Sequence, residues 1–118
     1  MFQRGGKRTF ALGRLKPGVM NRTEAAYARW LDSRQAEGQI AWHKFEGIKL
    51  RLADNTFYSP DFLVLCADGA LEVHEVKGFW QDDARVKIKV AASLFPFRFI
   101  AVTARAQKHG GGWKVEEF

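Results

Sequence analysis

The sequence predicts a single α/β domain, a central mixed sheet of four or five strands flanked by helices. Three observations carry that prediction. Two helix-forming stretches stand apart in the chain, strand-like apolar runs lie between and after them, and polar turn signals separate those runs. The size agrees: 118 residues, 47% hydrophobic and 27% charged, is one ordinary globular domain.

Taken in order, residues 1–20 form a basic arm with Gly5, Gly6, Gly13, Pro17 and Gly18 and no sustained periodicity, and residues 21–118 form the domain. Asn21 or Thr23 caps a helix whose formers run from Glu24 to Glu37, and Gly38 stops it. Ile40, Trp42 and Lys44 share one face of a first strand, then Ile48, Leu50 and Leu52 alternate with Lys49 and Arg51. Ala53-Asp54-Asn55-Thr56 turns the chain back. Phe57 to Cys66 follows, apolar on both faces around Pro60 and Asp61, and so reads as a central strand. Asp68-Gly69 is a hairpin turn into a strand from Leu71 to Lys77. A second helix runs from Asp82 to Leu94, with Val86, Val90, Ala91, Leu94 and Phe95 on its inward arc of about 180° and Lys87 in the middle of it. Phe97 to Thr103 is a further buried strand, and Trp113 to Val115 a short edge strand.

The charge is unevenly placed. Arg4, Lys7, Arg8, Arg14, Lys16 and Arg22 fall within the first 23 residues, which hold no acid, and these six account for the whole net charge of +6. A basic arm on a neutral domain suits a polyanion, and nucleic acid first. Arg105 to Lys114, with Lys108, His109 and three consecutive glycines, is a second candidate backbone-contacting loop. No apolar run reaches the ~20 residues of a membrane span. The N-terminus has no secretory pattern, and the lone Cys66 cannot form an internal disulfide, so the expected compartment is the cytoplasm.

Three placements are costly if they are only structural. Asp61 follows Pro60 inside an apolar run, Glu75 and Lys77 interrupt the face that Leu71 and Val73 begin, and Glu24 opens the inward face that Tyr27, Ala28 and Leu31 continue. The Asp68-Gly69 hairpin sets the Asp61 and Glu75 strands side by side. Converging carboxylates call for a cation, and an all-oxygen cluster favours magnesium, then manganese. With Lys77 beside them, this is the equipment of a phosphodiester hydrolase, and Lys87 is a second candidate cation near the scissile phosphate.

Pro60-Asp61 followed by Glu75-Val76-Lys77 resembles the signature of the PD-(D/E)XK nuclease superfamily. The stretch from Asn21 to Phe99 is similar to small phage and prophage endonuclease-like proteins: Asn21 to Ala25, Pro60 to Phe62, Glu75 to Gly78, Lys87 to Lys89 and Phe95-Pro96-Phe97 carry the likeness. It extends to virus-type replication-repair nucleases and Holliday-junction resolvases. The resemblance implies a restriction-endonuclease-like fold and a Mg2+-dependent DNA endonuclease, with Mn2+ as substitute, in a bacterial host cytosol. It implies that Asp61, Glu75 and the Val76 carbonyl hold the metal, that Glu24 completes the metal site or holds a metal-bound water, that Lys77 orients or activates the attacking water, and that Lys87 is the basic residue of the following helix. With no reading domain, shape is the expected discriminator, so branched DNA is the expected substrate. Symmetric cutting of a four-way junction demands a homodimer. Arg4, Lys7, Arg8, Arg14 and Lys16 are the expected DNA contacts of the arm, and Phe79-Trp80 is a candidate wedge or pairing element. The rival reading is a non-catalytic nucleic-acid-binding module in which Trp30, Trp42 and Trp80 stack bases, against the commoner fate of such aromatics as core. A zinc site from His43, His74, His109 and Cys66 fits no ligand spacing, and Cys66 lacks a paired base.

Overall fold

Asn21 opens the first helix, α1 (Arg22–Ala36), through a reciprocal capping box: Asn21 Oδ1 accepts from Glu24 N and Glu24 Oε1 accepts from Asn21 N, both at 2.8 Å. Asn21, not Thr23, is therefore the cap. Glu37 closes the helix and Gly38 reverses the chain at φ +80°. The computed structural model describes residues 18–78 and 82–118, so the arm's Arg4, Lys7, Arg8, Arg14 and Lys16, and Phe79 and Trp80, lie outside the described residues.

After α1 come β1 (Ile40–Phe45), β2 (Leu50–Ala53), β3 (Thr56–Tyr58), β4 (Phe62–Cys66), β5 (Leu71–Lys77), α2 (Asp82–Leu94), β6 (Arg98–Ala104), a 3-10 turn (Gln107–His109) and β7 (Trp113–Glu117). Five strands form one mixed sheet in the order β1-β4-β5-β6-β7, and β2 and β3 form a separate hairpin. Only β5 and β6 run parallel, joined through α2; the other neighbours are antiparallel. The Asp68-Gly69 turn joins β4 to β5: Gly69 takes φ +94°, and Asp68 Oδ1 accepts from Ala70 N at 3.0 Å.

The sheet is covered on both faces. On one, Tyr27 and Leu31 of α1 pack with Ile40, Phe62, Val64, Val76, Ile100 and Val102. On the other, Ile88 and Ala91 of α2 and Leu50 and Tyr58 of the hairpin pack with Val73, Phe99 and Ala101. No helix among the described residues is long and apolar enough to cross a membrane.

Four expectations need correction. The run Phe57–Cys66 is two strands, broken at Ser59-Pro60-Asp61, because Pro60 has no N–H for a ladder. Phe57 belongs to the hairpin and is 41% exposed, and the central position in the sheet falls to β5. In β1 a register shift between Ile40 and Trp42 turns Trp42 and Lys44 to solvent and brings His43 and Phe45 toward the core. Trp30 and Trp42 are exposed rather than core. In α2 the buried positions are Ile88 and Ala91, while Val86, Val90 and Leu94 are exposed, so the helix is rotated from the expected arc and Lys87 lies exposed at the flank facing the β2–β3 hairpin.

Candidate metal centre

The β4–β5 ladder runs to the pair Phe62–His74 and stops, which leaves Asp61 and Glu75 at the next step of the two strands. Asp61 is fixed from both sides. Its carbonyl accepts from Glu46 N at 2.7 Å on the β1 side, and its side-chain Oδ2 accepts from Val76 N at 2.8 Å on the β5 side. A side chain thus takes the ladder position that the backbone around Pro60 cannot fill. Since the N–H and C=O of one strand residue leave on the same side, the Val76 carbonyl is also directed toward Asp61.

Glu75 is 7% exposed, on the face that carries Val73 and the β2–β3 hairpin. Tyr58 of that hairpin donates to Glu75 Oε1 at 2.7 Å, and Lys77 Nζ lies 2.8 Å from Glu75 Oε2. Burial, and then the Glu75 carboxylate, hold the Tyr58 phenol far above its ordinary pKa, so it stays a donor. Glu24 enters from the first turn of α1, half-buried, near enough to Asp61 for its charge to act on that carboxyl group.

The electrostatics describe a crowded anionic cluster. Burial first, then the Glu75 charge, push Asp61 up to about 8, with Glu24 adding to the rise and the Val76 N–H opposing it. Burial works against the Lys77 ammonium, yet Glu75, with Asp61 and Glu24 behind it, keeps its pKa above the usual lysine value. Charge thus couples Asp61 to Glu75 and Glu24, and Lys77 to all three carboxyl groups. Lys87 is not among them: its Nζ donates to the Phe57 carbonyl at 3.3 Å, one residue from Tyr58.

No group of three or more His, Cys, Asp or Glu side chains among the described residues is arranged as a ready metal cage. Both oxygens of Glu75 already have partners, Tyr58 at Oε1 and Lys77 at Oε2. The donor chemistry nonetheless fits a hard divalent ion. The candidates are all oxygens, withdrawn to different degrees from solvent, and burial, then the Glu75 charge, hold the proton on Asp61. Asp61 and Glu75 would hold such an ion, with Asp61 giving up its proton to do so.

Sequence reasoning missed two features. Tyr58 is the only phenol in the run before Asp61, and its partner could be found only once the hairpin was known to fold over β5. The second is on the reverse face of β5, where His74 Nδ1 meets Tyr27 Oη at 2.7 Å, His74 Nε2 meets Glu72 Oε1 at 2.8 Å, and Arg98 donates to Glu72 Oε2 at 2.7 Å. Period-two alternation already put Glu72 and His74 on that face. Of the residues weighed for zinc, His43 instead meets Asp32 at 2.7 Å, and burial, then Glu72, push the Cys66 thiol up to about 11, which leaves it unreactive.

Comparison of the chain with protein-family models, with curated proteins and with solved structures gave no match.

Proposed function

We propose that this chain is a divalent-cation-dependent DNA endonuclease of the PD-(D/E)XK kind, on a restriction-endonuclease-like fold, that selects branched DNA by shape. The observation that carries the proposal is the convergence of Asp61, Glu75 and Glu24 with Lys77 where the β4–β5 ladder ends. Glu24 also caps α1, but neither the cap nor the sheet needs Asp61 and Glu75 side by side, where burial and the Glu75 charge make an ionised Asp61 costly.

Asp61, Glu75, Glu24 and the Val76 carbonyl would hold Mg2+, or Mn2+ in its place. When bound, such an ion supplies activation of a water and stabilisation of the charge that develops on the phosphoryl oxygens. The chain's own residues do the rest. Tyr58 pins one oxygen of Glu75 and fixes the rotamer of that side chain. The Val76 amide fixes Asp61. Lys77, displaced from Glu75, presents its ammonium to the attacking water or to the phosphate beside it. The arm's arginines and lysines contribute phosphate contacts, which position DNA without reading its sequence.

One observation favours the rival reading of a non-catalytic nucleic-acid-binding module: the Lys77–Glu75 pair already neutralises part of the cluster. The two readings part on one experiment. Labelled four-way junction, splayed fork, 5′ flap, linear duplex and single strand are incubated with the protein and Mg2+, beside a sedimentation measurement. Paired symmetric nicks in the junction by a dimer support a resolvase. Random nicking of duplex by a monomer leaves a general nuclease, and binding without any cleavage in Mg2+ or Mn2+ supports the module.

A further inference from the structure

An open cleft of about 750 Å³ lies between α1 and the connection from β6 to β7. Arg22 and Arg29 of α1 and Arg105 of the connection line it, with Thr23, Gln107 and Trp113, and among the described residues no carboxylate does. Outside the first 23 residues the chain's charges balance, so Arg29 and Arg105 meeting Arg22 around one opening are a local concentration of charge. No carboxylate among the described residues pairs with any of the three, and the only side-chain bond of Arg105 among those residues is to the His109 carbonyl, at 3.2 Å.

The construction of the cleft keeps it open. The connection folds back through Gly110, Gly111 and Gly112, all at positive φ (+97°, +65° and +75°), and Arg105 N donates to the Gly112 carbonyl at 2.9 Å. That fold holds Arg105 beside α1. Trp113 forms the floor, locked edge-to-face on Tyr27 at 5.0 Å between ring centroids. Along the helix, Arg22 and Arg29 stand two turns apart on the side opposite Glu24, Tyr27 and Leu31. The cleft therefore flanks the carboxylate cluster across the width of α1, roughly 10 Å. Asn21 and Glu24 already cap the helix N-terminus, so an anion here is met by guanidinium groups.

We propose that this cleft seats the phosphate backbone of a nucleic-acid strand, as a second contact beyond the candidate cleavage centre; the choice of nucleic acid as the polyanion rests on the nuclease reading. Guanidinium groups bind phosphate oxygens bidentately, and an open trough with an aromatic floor suits a polymer that passes through it better than a small enclosed ligand.

The test measures binding, without cleavage. Fluorescence anisotropy of a labelled duplex is followed in EDTA from 50 to 200 mM salt for the full chain and for the R22Q/R29Q/R105Q variant. The expected result is a salt slope shallower by about 0.9 for each phosphate that the variant leaves unneutralised, two to three units in all, and affinity at least roughly 10-fold weaker at low salt. K44Q/R51Q/K89Q, three exposed charges removed elsewhere, is the matched control and should bind within roughly 2-fold of the wild type if each of these side chains lies off the DNA path. Thermal melts establish that both variants fold; should the triple variant melt, R29Q alone is read in its place, with a slope change near 0.9. An unchanged slope, or an equal weakening in the control, overturns the proposal. So does competition by inorganic phosphate at low millimolar concentration, which would mark a small-anion site. Failure of the nuclease reading looks different: the cleft-dependent slope persists in EDTA while no DNA is cut in Mg2+ or Mn2+.

Discussion

Asp61→Asn should make the metal-free protein more stable, and increasingly so as pH rises. Asparagine keeps an oxygen to accept from Val76 N and gains an amide that can donate toward Glu24, so the local bonds survive. What disappears is the cost of a carboxyl group whose pKa is raised from 3.8 to about 8 by burial and by Glu75. The sign follows from linkage: a raised carboxyl pKa leaves stability intact below the unfolded value near pH 4, and stability is lost progressively as pH climbs through the folded value near 8. At ~1.4 kcal/mol per pH unit, the three units between pH 4 and 7 set an upper bound of about 4 kcal/mol. Residual penalties on the buried amide reduce this to about 2–4 kcal/mol at pH 7. For a domain of this size that is a rise in Tm of roughly 10 °C, falling to near zero at pH 4. Thermal melts in EDTA at pH 4.5, 6, 7 and 8.5 measure it. A variant less stable than the wild type throughout, or a difference that does not change with pH, would refute the claim that burial and Glu75 disfavour the ionised form of Asp61.

The same variant should cut no DNA, and Asp61→Ala or Glu75→Ala should also abolish cleavage while circular dichroism stays native; wild-type rates from either would remove them from the site. Lys77→Gln should cost roughly 100-fold or more in single-turnover rate, as loss of a charge-stabilising donor does, whereas Lys87→Gln, whose ammonium sits on the Phe57 carbonyl, should cost less than about 10-fold. Ile88→Ala should destabilise by about 2–5 kcal/mol in urea melts, while Val86→Ala, 57% exposed, should stay within about 0.5 kcal/mol. Deleting residues 1–16 should flatten the salt dependence of DNA binding by about 0.9 log units for each phosphate the arm no longer neutralises, up to five phosphates; an unchanged slope would show that the arm is not a clamp.

Legibility in the sequence followed how local the signal was. The Asn21 cap, the Asp68-Gly69 turn and the alternation of β5 are decided within a few residues, and from them the adjacency of Asp61 and Glu75 could be derived. The phase of α2 could not. Its sequence offers two apolar stripes, and the more hydrophobic one, Val86, Val90 and Leu94, lies outward. The helix presents Ile88 and the small Ala91 to the sheet, and which stripe packs depends on space left by Val73, Phe99 and Ala101. The β1 bulge and the break at Pro60 are settled likewise, by the neighbouring strands. Tyr58 and the Glu72–His74–Tyr27 contacts escaped notice because their partners come from distant segments.

The central claim is that the carboxylates at the end of the β4–β5 ladder bind a divalent cation. Calorimetric titration of Mn2+ into the wild-type protein near pH 7.5, in two buffers of different ionisation heat, tests it most directly. The account predicts saturable binding with release of a proton from Asp61, abolished in both Asp61→Ala and Glu75→Ala. Absence of binding in the wild type, or binding that survives unchanged in both variants, would contradict it.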